Sequence, residues 1–178
     1  MRVLARTQFG NPILRKRATD VPLSALKTKV FKRLVKNMIY TMRKAQGVGL
    51  AAPQIGKSIR LVVIELHPTK TRPNLKKYGP IVVINPRITR KGKKTSDWEG
   101  CLSFEGTRAR VPRARSVVVE YFDEEGKKVK EKASGLMARI FQHEVDHLDG
   151  ITFTDRIEDM KTLMTVEEFA KRVLKQKI

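Results

Sequence analysis

Apolar residues recur at helical spacing in the first third of the chain, between about positions 26 and 45. This spacing predicts an amphipathic helix with a basic outer face, and Gly47 follows it as a stop signal. Residues 59–66 and 81–86 are instead continuous apolar, β-branched runs, which predict two buried strands. The apolar positions of the predicted helix are Val30, Phe31, Leu34, Val35, Met38, Ile39 and Met42.

The second half of the chain predicts a hairpin followed by two helices. Residues 116–133 alternate as paired strands do, with turn residues at 123–126. The next helix could be capped by Ser134, runs to about residue 148 and ends at Gly150. Its predicted core anchors are Leu136, Ile140, Val145 and Leu148.

A last helix is predicted at about 165–177, where Thr165 and Glu168 have the spacing of a capping box. The segments between these elements read as irregular: an extended arm at 11–20, polar or basic loops at 67–80 and 90–95, and a loop with a short strand at 47–56. We therefore expect one α+β domain, residues 1–178. Short mixed or antiparallel sheets would pack around the helix that precedes Gly150, with one helix N-terminal and one C-terminal to it.

Composition narrows the class of protein. The 178 residues are 40% hydrophobic, which suits one domain with a core. The sequence has no apolar run of about 18 residues and no secretory signal, so we expect a cytoplasmic protein without a membrane span. The single cysteine, Cys101, excludes an intrachain disulfide.

Charge is distributed unevenly along the chain. Residues 1–95 hold 23 Lys and Arg but only two acids, Asp20 and Glu65, a net charge of +21. The remainder carries 15 basic and 16 acidic residues, a net of −1, so the first half carries the whole excess of +20. Such a field favours a polyanion such as RNA, but it is equally compatible with a solvated basic surface.

His143-Glu144-Val145-Asp146-His147 points to a metal site. Positions i and i+4 share one face of a helix, so His143 and His147 can bind one ion, and Glu144 is placed to move a proton beside it. Asp146 and Asp149 could orient the imidazoles or lie at the surface. A solvent-facing helix glutamate is the alternative interpretation of Glu144.

A catalytic site needs a third protein ligand and an open position. The candidates are Cys101, His67 and an acid. Cys101 lies in "EGCLS" near Trp98, which indicates an ordered, buried position. An inert core thiol and a catalytic nucleophile are the alternative interpretations of this cysteine.

Three stretches in this order resemble the peptide deformylase family. They are "GVGLAAPQ" at 47–54, "EGCLS" at 99–103 and "QHEVDHLDG" at 142–150, and "GNPILR" at 10–15 looks like the family's opening segment. The resemblance implies a hydrolase of protein biosynthesis that removes the formyl group from N-formylmethionine of nascent chains and releases formate. Metal-activated water would attack the formyl carbon, with Glu144 as general acid/base.

The resemblance also implies residue roles. Cys101, His143 and His147 would hold one divalent metal, Fe²⁺ natively, with Zn²⁺, Ni²⁺ or Co²⁺ as possible substitutes. The Gln54 amide and the Leu102 backbone N–H would polarise the formyl oxygen, and Glu99 would pair with Arg113. A basic C-terminal helix would contact the ribosome transiently. The implied substrate contacts are Gly47, Val48, Gly49, Glu99, Gly100 and Arg108.

One departure from the family pattern affects the lip of the cleft. The family commonly has an aliphatic residue and then proline after "EGCLS", whereas Phe104, Glu105 and Gly106 follow here. We therefore expect the loop's rigidity and the substrate breadth to differ. Two other functions remain open: a zinc metallopeptidase, and a basic ribosome- or RNA-binding protein with a structural metal site.

Overall fold

The computed structural model describes residues 1–68 and 75–175. Within these ranges the chain forms eight strands, three α-helices and several short 3-10 turns. The α-helices are α1 (Lys29–Lys44), α2 (Gly135–Leu148) and α3 (Val166–Arg172). The strands are β1 (Gly49–Ala51), β2 (Leu61–Leu66), β3 (Tyr78–Lys91), β4 (Lys94–Cys101), β5 (Phe104–Ala114), β6 (Ser116–Phe122), β7 (Lys128–Ser134) and β8 (Met164–Thr165).

A five-stranded antiparallel sheet, in the order β1-β2-β3-β6-β7, supports the central helix α2. One core lies between them, where Ile140, Phe141 and Leu148 of α2 pack with Val62 and Ile64 of β2. These side chains expose 5% of their surface or less, so α2 is fixed firmly on the sheet. Strand β1 forms one edge of this sheet.

Helix α1 covers a second core at the β1–β2 end of the sheet. Phe31, Val35, Met38 and Met42 are buried there, as their helical spacing predicts. The helix begins three residues later than predicted, because the Thr28 side chain accepts a hydrogen bond from the Phe31 N–H and caps it. The residues just before this cap form a separate 3-10 turn, Leu23–Lys27.

A second sheet, in the order β4-β5-β8, was not predicted from the sequence. Strands β4 and β5 pair antiparallel and are joined by a turn at Leu102 and Ser103. This turn carries the end of the "EGCLS" segment. The α+β class is confirmed, with antiparallel sheets arranged around α2.

Several connections differ from the predictions. The basic stretch 90–95 is not a loop, because β3 continues to Lys91 and β4 begins at Lys94. The 11–20 arm contains a 3-10 turn at Pro12–Arg15. Part of the predicted loop at 67–80 belongs to β3, and its residues 69–74 lie outside the described residues. The hairpin turn at 123–126 is confirmed by the bond from the Gly126 N–H to the Asp123 carbonyl, 3.0 Å.

Helix termini also differ in detail. Ser134 precedes α2, but its side chain makes no capping bond. Thr165 does cap α3, since its hydroxyl accepts from the Glu168 N–H. The α3 helix ends at Arg172, earlier than predicted, and residue 177 lies outside the described residues. No helix among the described residues is long and apolar enough to cross a membrane.

Candidate metal centre and active site

Cys101, His143 and His147 converge in space although 42 residues separate the first two in the sequence. One ligand atom from each lies within 4.8 Å of the others. The two histidines come from one face of α2, and the cysteine comes from the end of β4. Among the His, Cys, Asp and Glu side chains of the described residues, these three are the ones placed closely enough together to hold a metal ion.

The geometry of this trio fits a metal. The Cys101 Sγ lies 3.2 Å from the His147 Nε2. Two ligands of one tetrahedral ion, with metal–sulfur and metal–nitrogen bonds of about 2.3 and 2.0 Å, would be about 3.5 Å apart. Burial alone would raise the pKa of the Cys101 thiol, but the imidazoles of His147 and His143 hold that pKa well below its usual range. The thiolate form, which metals prefer, is therefore favoured.

Glu99 orients one of the imidazoles. Its carboxylate lies 2.9 Å from the His143 Nδ1, which leaves Nε2 as the nitrogen available to a metal. The same carboxylate accepts two bonds from Arg113, at 3.0 and 3.1 Å, and one from Arg139, at 2.7 Å. Burial would raise the pKa of Glu99, but His143 and Arg113 outweigh it and lower that pKa strongly. Glu99 is thus a buried, ionised carboxylate that fixes the orientation of the His143 ring.

Glu144 lies beside the trio, not in solvent. Glu144 is 5% exposed, and its Oε2 has no hydrogen-bond partner among the described residues. Burial raises the pKa of this carboxyl. A methyl group at Gly49 would collide with the Glu144 carboxylate, so glycine lets β1 approach this side chain.

Gln54 and the Leu102 turn face the same site. The Gln54 Nε2 is 3.4 Å from the Cys101 Sγ and donates to the Ser103 hydroxyl at 3.2 Å. Its Oε1 accepts from the Ala51 N–H at 2.9 Å, which fixes the amide's orientation. Gln54 is 1% exposed, and Leu102 is half-buried.

The other sequence candidates lie in varied positions. Gly47 and Val48 precede β1, where a methyl at Gly47 would press on the Leu102 side chain. The Arg108 guanidinium lies against Gly100, leaving no room for a side chain there. His67 follows β2 and is not part of the trio.

The two aspartates of the motif pair with arginines rather than with imidazoles. Asp146 bonds Arg113 and Arg156, and Asp149 bonds Arg60 at 2.6 Å. They form part of the wall of a cavity of about 800 Å³ on another side of α2, which none of the trio lines.

Comparison with known proteins gives the family. The model of the polypeptide deformylase family matches residues 4–163. Peptide deformylase 2 of Nostoc sp. is 40% identical over 169 residues, covering 94% of this chain and 93% of its own length. A peptide deformylase of Desulforudis audaxviator is 45% identical over 157 residues, covering 88% and 94%. This chain belongs to the peptide deformylase family.

Solved structures of peptide deformylases share the fold. A class I type b enzyme from Acinetobacter baumannii, bound to Met-Ala-Ser, superposes with a TM-score of 0.85 at 36% identity, covering 88% of this chain and 99% of its own. The Thermotoga maritima enzyme gives a TM-score of 0.79 at 37% identity, covering 89% and 100%. The resemblance inferred from the three motifs is confirmed.

Sequence reasoning missed two polar residues of the site. Arg139 is a buried member of the Glu99 network, and Ser103 is the hydroxyl partner of Gln54. Arg139 lies four residues before His143 on α2, and that i, i+4 spacing was the available signal for it.

Proposed function

We propose that the chain is a metal-dependent peptide deformylase, which hydrolyses the formyl amide of N-formylmethionyl nascent peptides to formate and a free amine. The observation that carries this proposal is the convergence of Cys101, His143 and His147 beside the partnerless oxygen of Glu144. The zinc peptidase alternative predicted a third His or acid ligand. In the group found among the described residues, the third member is instead Cys101.

Cys101, His143 and His147 would hold the metal. A divalent ion in this site would supply Lewis-acid chemistry and activate water near neutral pH. We propose Fe²⁺ as the native ion, on the family resemblance, and expect Zn²⁺, Ni²⁺ or Co²⁺ to occupy the same ligands.

Glu144 would move the proton. Its carboxylate would take a proton from the attacking water and deliver it to the amine nitrogen as the carbon–nitrogen bond breaks. Burial raises the pKa of this carboxyl, and its Oε2 has no hydrogen-bond partner among the described residues. Both features suit a group that must accept and then release a proton.

Gln54 and Leu102 would stabilise the developing oxyanion. The Gln54 amide nitrogen lies beside the Cys101 sulfur, and the Leu102 backbone follows that cysteine directly. Two donors held near the reacting carbonyl lower the barrier because they need no reorganisation as negative charge develops.

The substrate backbone would add to β1. This strand is at the edge of the sheet, so β2 pairs with one of its sides and the other side has no neighbouring strand in the sheet. We propose that Gly47, Val48 and Gly49 receive an extended peptide there. Gly100 and Arg108 would contact the peptide from the opposite wall. Glu99 would not contact it, because its carboxylate oxygens already bond Arg113 and His143.

The test uses the Glu144→Gln variant on formyl-Met-Ala-Ser after anaerobic iron loading. We expect kcat for formate release to fall at least about 100-fold with the metal retained. Glu158→Gln, at an exposed ion pair, is the matched control and should match wild type. No formate release from iron-loaded wild-type protein would overturn the proposal, and internal peptide cleavage would favour the peptidase.

We also propose transient ribosome contact in the cytoplasm, through the basic surface of α1. Lys29, Lys32, Arg33 and Lys36 are exposed at the spacing of one helix face. The two acids of residues 1–95 are already engaged, Glu65 by Arg43 and Asp20 by Arg60 and Arg87. An exposed basic face of this kind fits a phosphate backbone.

The C-terminal helix is a weaker candidate than predicted. Within α3, Glu167 and Glu168 balance Lys171 and Arg172, and Glu168 pairs with both of these cations. The described helix is therefore not basic, which is why we place the contact on α1.

Removing the four α1 cations (K29Q, K32Q, R33Q, K36Q) should reduce the salt dependence of binding to ribosomal RNA. The slope of log K against log salt should fall by up to about 3–4, since each phosphate contact contributes about 0.9. The control removes four hairpin lysines (K127Q, K128Q, K130Q, K132Q). Equal effects of both variants would mean that only net charge matters.

A further inference from the structure

An N-terminal segment, residues 6–9, crosses two of the segments that form the site. The Thr7 N–H donates to the Gln54 carbonyl at 2.7 Å, and the Phe9 N–H donates to the Ser103 carbonyl at 2.9 Å. One short stretch of backbone thus joins the Gln54 segment to the turn that follows Cys101. We call residues 6–9 the strap.

The strap also holds the Leu102 carbonyl. The Gln8 Nε2 donates to it at 3.1 Å, and the Arg6 Nη1 donates at 3.5 Å. The Leu102 N–H lies in the preceding peptide unit, only the two backbone rotations of Leu102 away from its carbonyl. Holding the carbonyls of Leu102 and Ser103 therefore limits the backbone movements open to this short turn.

Two side-chain contacts fix the strap to the start of β5. Arg6 forms an ion pair with Glu105, and the Phe9 ring stacks on Phe104 with centroids 5.0 Å apart and planes 16° apart. Phe104 in turn packs edge-on against Phe153, with centroids 5.4 Å apart, and Phe153 is 1% exposed. The contacts therefore connect a half-buried segment, in which Phe9 is the exposed residue, to the core beside the site.

The residues that receive these contacts are those that depart from the family pattern. Phe104 and Glu105 stand where an aliphatic residue and a proline are common, and Gly106 follows with φ of +71°. A proline would stiffen this backbone covalently. Here, in its place, a ring stack and an ion pair link the same two positions to the strap.

We propose that Arg6 and Phe9 are positioning residues, which hold the Leu102 N–H and Gln54 in the geometry needed to stabilise the oxyanion. This inference rests on the deformylase function proposed above. It assigns an effect on kcat to residues that are not metal ligands, because the donors they position matter in the transition state and less in substrate binding.

The experiment compares Arg6→Gln and Phe9→Ala with wild type in kcat, KM and metal content on formyl-Met-Ala-Ser. We expect kcat to fall about tenfold or more, with KM within about twofold and metal content unchanged, since small misplacements of catalytic groups are costly. The charge-swapped pair, Arg6→Glu with Glu105→Arg, should recover the part of kcat that depends on the ion pair but not the part that depends on the bond to the Leu102 carbonyl, because a carboxylate cannot donate. Arg172→Gln, which removes an exposed ion pair on α3, is the control and should leave kcat unchanged.

Hydrogen exchange of residues 101–105 gives a readout independent of turnover. We expect faster exchange there in Phe9→Ala and Arg6→Gln, and no change in Arg172→Gln. An unchanged kcat in both strap variants, or an equal loss in the control, would overturn the proposal. If wild-type protein releases no formate, the proposed deformylase function itself fails, and hydrogen exchange alone then tests the positioning role of the strap. Unchanged exchange of residues 101–105 in the strap variants would refute that role. Faster exchange confined to these variants would support it.

Discussion

Replacing Glu99 by glutamine tests how a buried carboxylate that is not itself a metal ligand supports the ligand His143. In the wild-type chain each carboxylate oxygen accepts two bonds. Oε1 receives Arg113 Nε and Arg139 Nη1, and Oε2 receives Arg113 Nη2 and faces His143 Nδ1. The amide of Glu99→Gln keeps the shape but can accept on one side only.

The magnitude follows from this count. Whichever way the amide lies, two donors then face an NH₂ group. Hydrogen bonds to a charged group contribute about 1.5–3 kcal/mol each, so the expected loss is about 3–6 kcal/mol in the free energy of unfolding. Glu99 is 4% exposed at its side chain, so solvent does not screen the effect. Where the NH₂ group takes the position that faces His143, loss of this acceptor should separately lower metal affinity about 10–100-fold.

Denaturant unfolding and chelator competition measure the two effects. Glu120→Gln is the matched control, because Glu120 pairs with Lys130 and Lys128 at the surface, where solvent screens such pairs and they contribute little to stability. A Glu99→Gln protein that unfolds at the wild-type denaturant midpoint and binds metal within about threefold of wild type would refute the role of Glu99.

Three further predictions follow from particular contacts. Gly49→Ala should lower kcat about 10-fold or more while metal content stays constant, because its methyl displaces the Glu144 carboxylate; an unchanged kcat would contradict that contact. Phe141→Ala should destabilise the fold by about 3–5 kcal/mol in denaturant unfolding, because the ring is 1% exposed; a loss below about 1 kcal/mol would contradict its burial. Burial and the nearby Glu131 raise the pKa of Tyr78 to about 12, so its stabilising effect should be complete below the ordinary tyrosine pKa of about 10 and disappear as pH rises through about 12. Ultraviolet titration of wild type against Tyr78→Phe measures this, and a Tyr78 transition near pH 10 would contradict it.

The elements whose apolar residues recur at a regular spacing could be predicted from the sequence. The apolar spacing of α1 and the β-branched runs of β2 and β3 depend on burial against one surface, which leaves a clear pattern. The His143 and His147 spacing likewise places two ligands on one helix face, whatever the rest of the fold does. Such local regularities are readable without knowledge of the partners.

The second sheet could not be predicted in this way. Strands β4 and β5 carry charged side chains at buried positions, such as Glu99 and Arg113, which read as surface residues until their partners are known. The pairing of Glu99 with Arg139 and His143 joins positions 40 and 44 residues apart. The strap is a similar case, since its order comes from contacts with Ser103 and Glu105, not from any period of its own.

Cys101 is the only sulfhydryl in the chain, and it lies among the ligand atoms of the candidate metal site. A thiol-reactive dye added to the native protein would therefore have a single point of attachment. Because a bound metal would occupy the thiolate that reacts with the dye, the fraction of protein that is labelled would report how much of a preparation is metal-free, without interference from other cysteines.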